Sequence, residues 1–265
     1  MTLRIALALL LAMPLHAADR RRIATLNVGA TSIFTFISCA VQRKVHSARD
    51  AVRCLGAGTV AGVGFYQAKR LVARGDITTG WIVANASTSL VENTTAGEHP
   101  LSRIGYTFGP FRLRVATPLD RARESYVDLD LSAVETGFLA RAINDADDVD
   151  IRDGMLWYET NQPGLDEAGR VVHGSTWGIF PGVWRGADEH TWHHEAVHSV
   201  QSLQLDSVEP PALTIERGRR PIRIRYVRAG ALNLADNMVM AQTPYERRWA
   251  EIEAYRLTED KRPPE

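Results

Sequence analysis

The stretch TWHHEAVHSVQ, residues 191–201, holds three of the chain's eight histidines and one glutamate within six positions. His194 and His198 are four apart. On an α-helix that spacing puts both rings on one face, one turn apart. Glu195 directly follows the first histidine, giving the order H-E-x-x-H. Two neutral imidazoles so placed can ligate Zn²⁺, and the intervening carboxylate then faces the open coordination position, where it can serve as a general base. Residue frequencies give a chance expectation of about 0.013 for this motif in a chain of this composition. The segment reads as a helix. Asp188 or Thr191 can cap it, and neither Gly nor Pro occurs before Pro210. His193 lies about 100° round from His194, so it falls outside the ligand set and suits a substrate-contacting or surface role. The alternative to a metal site is a packing helix whose histidines bond to backbone or carboxylates.

A zinc site with catalytic capacity takes three protein ligands and leaves a fourth position open. The tail offers YERRWAEIEAYRL, residues 245–257, helical in composition and preceded by Pro244, a residue suited to a helix start. Glu251 and Glu253 are the candidates, with Glu246 behind them.

HEAVHSVQ followed downstream by EIEA resembles the zinc metallopeptidases of the gluzincin type. In that family two histidines come from one helix and a glutamate from a second helix bearing E-x-x-A. Glu251 with Ala254 matches the second block, and Gln201 matches a residue frequent in bacterial members. The family's usual Asp one position after the Ala is Tyr255 here, which removes the carboxylate that helps hold a ligating histidine. The resemblance covers about 30 residues in two blocks. It implies Zn²⁺ on His194, His198 and Glu251, with Glu195 as general base and then acid. The implied reaction is hydrolysis of peptide bonds in a peptide or protein substrate. It also implies a Tyr or His that stabilises the oxyanion, for which His173, Tyr245 and Tyr255 are all candidates. The strand-like GSTWGIF, residues 174–180, precedes the motif helix, as does the strand that lines the cleft in such sites. The N-terminal two-thirds instead resembles bacterial envelope proteins with Gly-rich helices and a late histidine motif. The competing reading is a non-enzymatic envelope scaffold with a structural or vestigial metal site.

The N-terminus, MTLRIALALLLAMPLHA, has a basic residue, an apolar run and then small residues. This predicts a secretory signal over residues 1–17, or else an uncleaved anchor, and therefore a secreted, periplasmic or membrane-associated protein. Cys39 and Cys54, the only two cysteines, can form one bridge in an oxidising compartment or remain two buried thiols.

Three uncharged runs follow, within residues 23–41, 54–66 and 77–91, rich in Gly, Ala, Ser and Thr. They predict two or three helices across a region spanning residues 18–98. Gly58 and Gly62, one turn apart, suit close backbone approach in a membrane or in tight soluble packing. Only the first run nears the roughly 20 apolar residues of a spanning helix, so a membrane surface is one expected partner. From residue 99 to 265 the texture changes to short alternating segments at 104–117, 125–132, 154–160 and 172–180. A helix is expected near 133–143. The fold class expected is α+β: a helical N-terminal layer, a small mostly antiparallel sheet and a zincin-like two-helix metal site. NDADDVDIRD lacks the pattern of a calcium loop and reads as a solvated turn. ERGRRPIRIRYVRAG, residues 216–230, carries six arginines, which suits anionic headgroups, an acidic partner or simply a solvated face. Net charge is zero, so no global electrostatics favour nucleic acid.

Overall fold

The structure is a computed structural model. It describes residues 20–109, 111–120, 126–131, 133–165, 169, 171–208, 215–217, 222–226, 231–243 and 248–258. The expected signal over 1–17, together with Pro244, Tyr245 and Glu246, lies outside them.

Three helices come first: α1 (Arg20–Val41), α2 (Ala48–Val72) and α3 (Ile77–Thr95). Each follows an uncharged run, and each turn carries its own start signal. The Ser47 hydroxyl accepts from the Asp50 amide at 3.2 Å and caps α2, and Asp76 accepts from the Thr79 amide at 3.3 Å and caps α3. Gly75, at φ +90, makes the left-handed turn between α2 and α3. The glycines let the helices touch. A Cβ at Gly58 would stand 2.7 Å from the Ser32 Cα, and one at Gly62 would stand 2.7 Å from the Val28 Cα. Cys39 and Cys54 are bonded, tying the end of α1 to the start of α2. Among the described residues, α1 is the one helix long and apolar enough to cross a membrane. That property is shared by membrane anchors, signal sequences and the core helices of globular proteins.

The rest is α+β with small, mostly antiparallel sheets. Strands β1 (Arg103–Phe108), β2 (Phe111–Ala116) and β3 (Tyr126–Leu131) lead to α4 (Ala133–Asp145). Then come β4 (Asp148–Arg152), β5 (Met155–Thr160), β6 (Gly164–Leu165), β7 (Val171–Val172), β8 (Gly174–Trp177) and β9 (Phe180–Trp184). Helix α5 (Glu189–Val208), strands β10 (Ile215–Arg217) and β11 (Ile222–Tyr226), and helices α6 (Ala231–Gln242) and α7 (Trp249–Leu257) complete the chain. There are two principal sheets, ordered β1-β2-β3-β11-β10 and β4-β5-β9-β8, with β6-β7 as a separate ribbon. Two pairings, β3 with β11 and β5 with β9, are parallel.

Two local expectations need correction. The acid-rich NDADDVDIRD is solvated but not a turn, because its residues 148–152 form the exposed strand β4 paired with β5. The tail helix starts at Trp249, later than Pro244 suggests. Within the arginine stripe, Ile222–Tyr226 forms β11, as the alternation suggests, and its backbone register pairs Arg223 with Asp128 and Arg225 with Asp130 of β3.

Helix α5 is central. It packs against α1, α2 and α3 on one side and against β8 and β9 on another. Phe65, Trp81, Trp157, Phe180, Val197 and Val200 are buried in one continuous core that joins the helical layer to the sheets. Burial of each such side chain contributes roughly 1.5–3 kcal/mol. A rigid α5 held from both sides is what fixes the motif face.

Candidate metal centre

The Asp188 carboxylate accepts from the Thr191 amide at 2.9 Å and caps α5. One turn later His194 and His198 project together. Their Nε2 atoms lie 3.0 Å apart, and Glu251 Oε2 from α7 stands 3.1 Å from the first and 3.4 Å from the second. Ligands held tetrahedrally at 2.0–2.1 Å from zinc stand about 3.3 Å from one another. The three donors therefore already lie near the edge length of a zinc tetrahedron. All three line a cleft of about 650 Å³, which Glu195 lines as well.

The chemistry of the donors also fits a cation. Burial alone would lower the His198 pKa, but Glu251 beside it outweighs that and pushes it up to about 9. Burial would raise Glu251, yet the two imidazoles hold its carboxyl well below the usual carboxylate range. The group thus favours positive charge at its centre, which a divalent ion would supply.

Tautomer is set from behind. The Gln201 amide nitrogen donates to the Ala250 carbonyl at 3.1 Å and to Glu253 Oε2 at 2.8 Å. Its carbonyl oxygen, 2.7 Å from His198 Nδ1, must therefore accept. His198 therefore carries a proton on Nδ1, which leaves Nε2 as the atom that would face a metal once its own proton is displaced. Tyr255 occupies the position of the expected Asp. Its ring meets the His194 ring edge-on at 4.6 Å between centroids, so an aromatic contact stands where a carboxylate was expected.

Glu253, the alternative third ligand, is not part of the donor group. It takes hydrogen bonds from Lys69 at 2.9 Å, Asn27 at 2.6 Å and Gln201 at 2.8 Å, and Lys69 also donates to Asn27 Oδ1 at 2.7 Å. All four side chains are buried. Two helices of the N-terminal layer thus reach the back of the centre. Sequence reading missed Lys69 and Asn27. The available signal was Asn27, an amide inside the uncharged run of α1, where burial demands a partner; Lys69, next to Arg70, carried no such mark.

Glu195 is buried beside the two histidines, and desolvation raises its pKa. The Thr176 hydroxyl on β8 donates to its Oε2 at 2.7 Å. Gly174 makes this closeness possible, since a Cβ there would fall 2.7 Å from Glu195 Cγ and Oε1. Strand β8 is the outer strand of its sheet among the described residues and lines the cleft. His173 lines it too, with its ring 5.3 Å from that of Trp184, and so does Tyr255. His193 is half-buried near Gly75, away from the donor group.

Compared with family models, curated proteins and solved structures, the chain matches none of them.

Proposed function

We propose that the chain is a zinc-dependent peptidase acting outside the cytoplasm, with His194, His198 and Glu251 as metal ligands and Glu195 as general base. The observation that carries this reading is the donor triangle of 3.0, 3.1 and 3.4 Å opening on a cleft beside a buried carboxylate. A zinc ion in that triangle would supply Lewis acidity toward water and the scissile carbonyl. The chain's own groups do the rest. The Glu195 carboxylate, steadied by Thr176, takes the proton of the attacking water and returns it to the leaving amine. Its raised pKa brings it nearer to working pH than an exposed glutamate would be. The outer strand β8 offers backbone groups along which an extended peptide can pair. The Cys39–Cys54 bridge supports an oxidising compartment.

Glu195→Gln is the test. It keeps the shape and the three ligands, so zinc content should stay at the wild-type level while cleavage of a broad peptide library falls by about 10²–10⁴-fold. Zinc retained by both proteins with no cleavage by either would favour a scaffold with a structural metal.

A further inference from the structure

The inner face of the helical layer is spent on α5 and the Lys69 network. The outer face has a different chemistry. Val52, Leu55, Val60 and Val63 of α2 are exposed along one stripe, with Ile33 of α1 and Ile82 of α3 exposed on its two neighbours. Residues 54–68 of α2, 23–41 of α1 and 77–91 of α3 contain no charged residue. The stripe from Val52 to Val63 runs about 17 Å at 1.5 Å per residue. Single exposed aliphatics are ordinary, but a charge-free exposed face shared by three helices marks an interaction surface.

We propose that this face seats on an anionic lipid bilayer, lying in the membrane plane, with α2 at its centre. Three observations choose lipid. The first is charge. Residues 20–96 carry ten Lys and Arg against three Asp and Glu, a net of +7 in a chain whose total is zero. The positive part of the chain is thus the part that bears the apolar face. Exposed arginines flank the stripe at both ends, Arg43 and Arg49 at one and Arg74 at the other, where headgroups would lie. The second is hydrogen bonding. Thr59 lies on the stripe, and its hydroxyl bonds to the Leu55 carbonyl at 2.8 Å and to Ser32 Oγ at 3.1 Å; Ser32 in turn donates to the Leu55 carbonyl at 2.9 Å. These two hydroxyls of the face thus have partners within the protein, which lowers the cost of taking them out of water. The third is side-chain type. The stripe is made of short aliphatics with no aromatic anchor, which suits fluid acyl chains better than a shaped protein partner.

Orientation follows from the fold. The opposite face of the layer is covered by α5 and holds the buried Lys69–Glu253 pair, so the layer lies on the bilayer and does not cross it. The metal cleft, built on α5, α7 and β8, then belongs to the half of the chain held off the lipid.

The test is flotation of the full chain with vesicles of phosphatidylglycerol and phosphatidylcholine, compared with phosphatidylcholine alone. The wild type should float with the anionic vesicles, less so in 1 M salt, and weakly with the neutral ones. Val52→Glu/Val60→Glu should lower the bound fraction at least tenfold, with an unchanged melting temperature because both sites are exposed. The milder Val60→Thr/Val63→Thr should weaken binding a few-fold if the acidic pair fails to fold. Both variants keep residues 1–17, so a leader cannot account for the difference. His194→Ala should float like the wild type, which separates this proposal from the peptidase reading. Flotation unaffected by the stripe substitutions would overturn the proposal. So would a wild type that ignores vesicles, or one that instead forms a dimer abolished by Val52→Glu/Val60→Glu, which would assign the face to a second copy.

Discussion

Two polar clusters sit back to back on α7, and they differ in one ingredient. Around Glu253 the chain provides its own cation: Lys69 lies 2.9 Å away, Asn27 and Gln201 fill the remaining positions, and the cluster is sealed among four helices. Around Glu251 the chain provides two imidazoles and a carboxylate, with a cleft of about 650 Å³ alongside. A buried carboxylate with a built-in ammonium is a structural joint. A carboxylate beside two imidazole Nε2 atoms, with space alongside, is a group that could hold a cation from outside. Gln201 touches both clusters, so the joint also holds the site.

The largest effect should come from removing the ammonium. Lys69→Met leaves Glu253 buried and unpaired, so it should cost about 3–5 kcal/mol in denaturant unfolding. The double change Lys69→Met/Glu253→Leu should recover much of that loss. No recovery would mean that Lys69 acts through something other than this pair. Next comes the bridge between the clusters. Gln201→Leu removes the acceptor for His198 Nδ1, and zinc affinity measured by chelator competition should fall by about 10–100-fold. An unchanged affinity would show that the two clusters are independent. A smaller effect is expected at the cap of α5. Asp188→Ala should cost about 1 kcal/mol at neutral pH. The Thr191 amide and hydroxyl hold the Asp188 carboxyl below its usual value. A depressed folded pKa contributes stability above the unfolded value of about 3.9, and that contribution is lost as pH falls below it. The stability gap between wild type and Asp188→Ala should therefore narrow in acid; a gap that widened would exclude the cap.

The parts legible in the sequence are those written in local spacing. HEAVH declares two rings on one helical face because four residues make one turn. The uncharged runs with their glycines declare close-packed helices, and EIEA marks the tail helix. The choice between Glu251 and Glu253 was not local. The two lie about 200° apart round α7, and the decision rests on Lys69, 184 residues away in sequence. The parallel pairing of β3 with β11 was hidden for the same reason, since no turn joins them and each strand alone reads as antiparallel-competent. Tyr255 stayed ambiguous because its ring contact with His194 depends on the angle between α5 and α7, which no spacing encodes.

The central claim is that His194, His198 and Glu251 grip a divalent ion. Equilibrium dialysis against zinc addresses it directly, using wild type, His194→Ala and Glu251→Ala with their folded state followed by circular dichroism. The account predicts one tightly held zinc per wild-type chain and none held comparably by either folded variant. Equal zinc binding by all three, or none by the wild type, would contradict it.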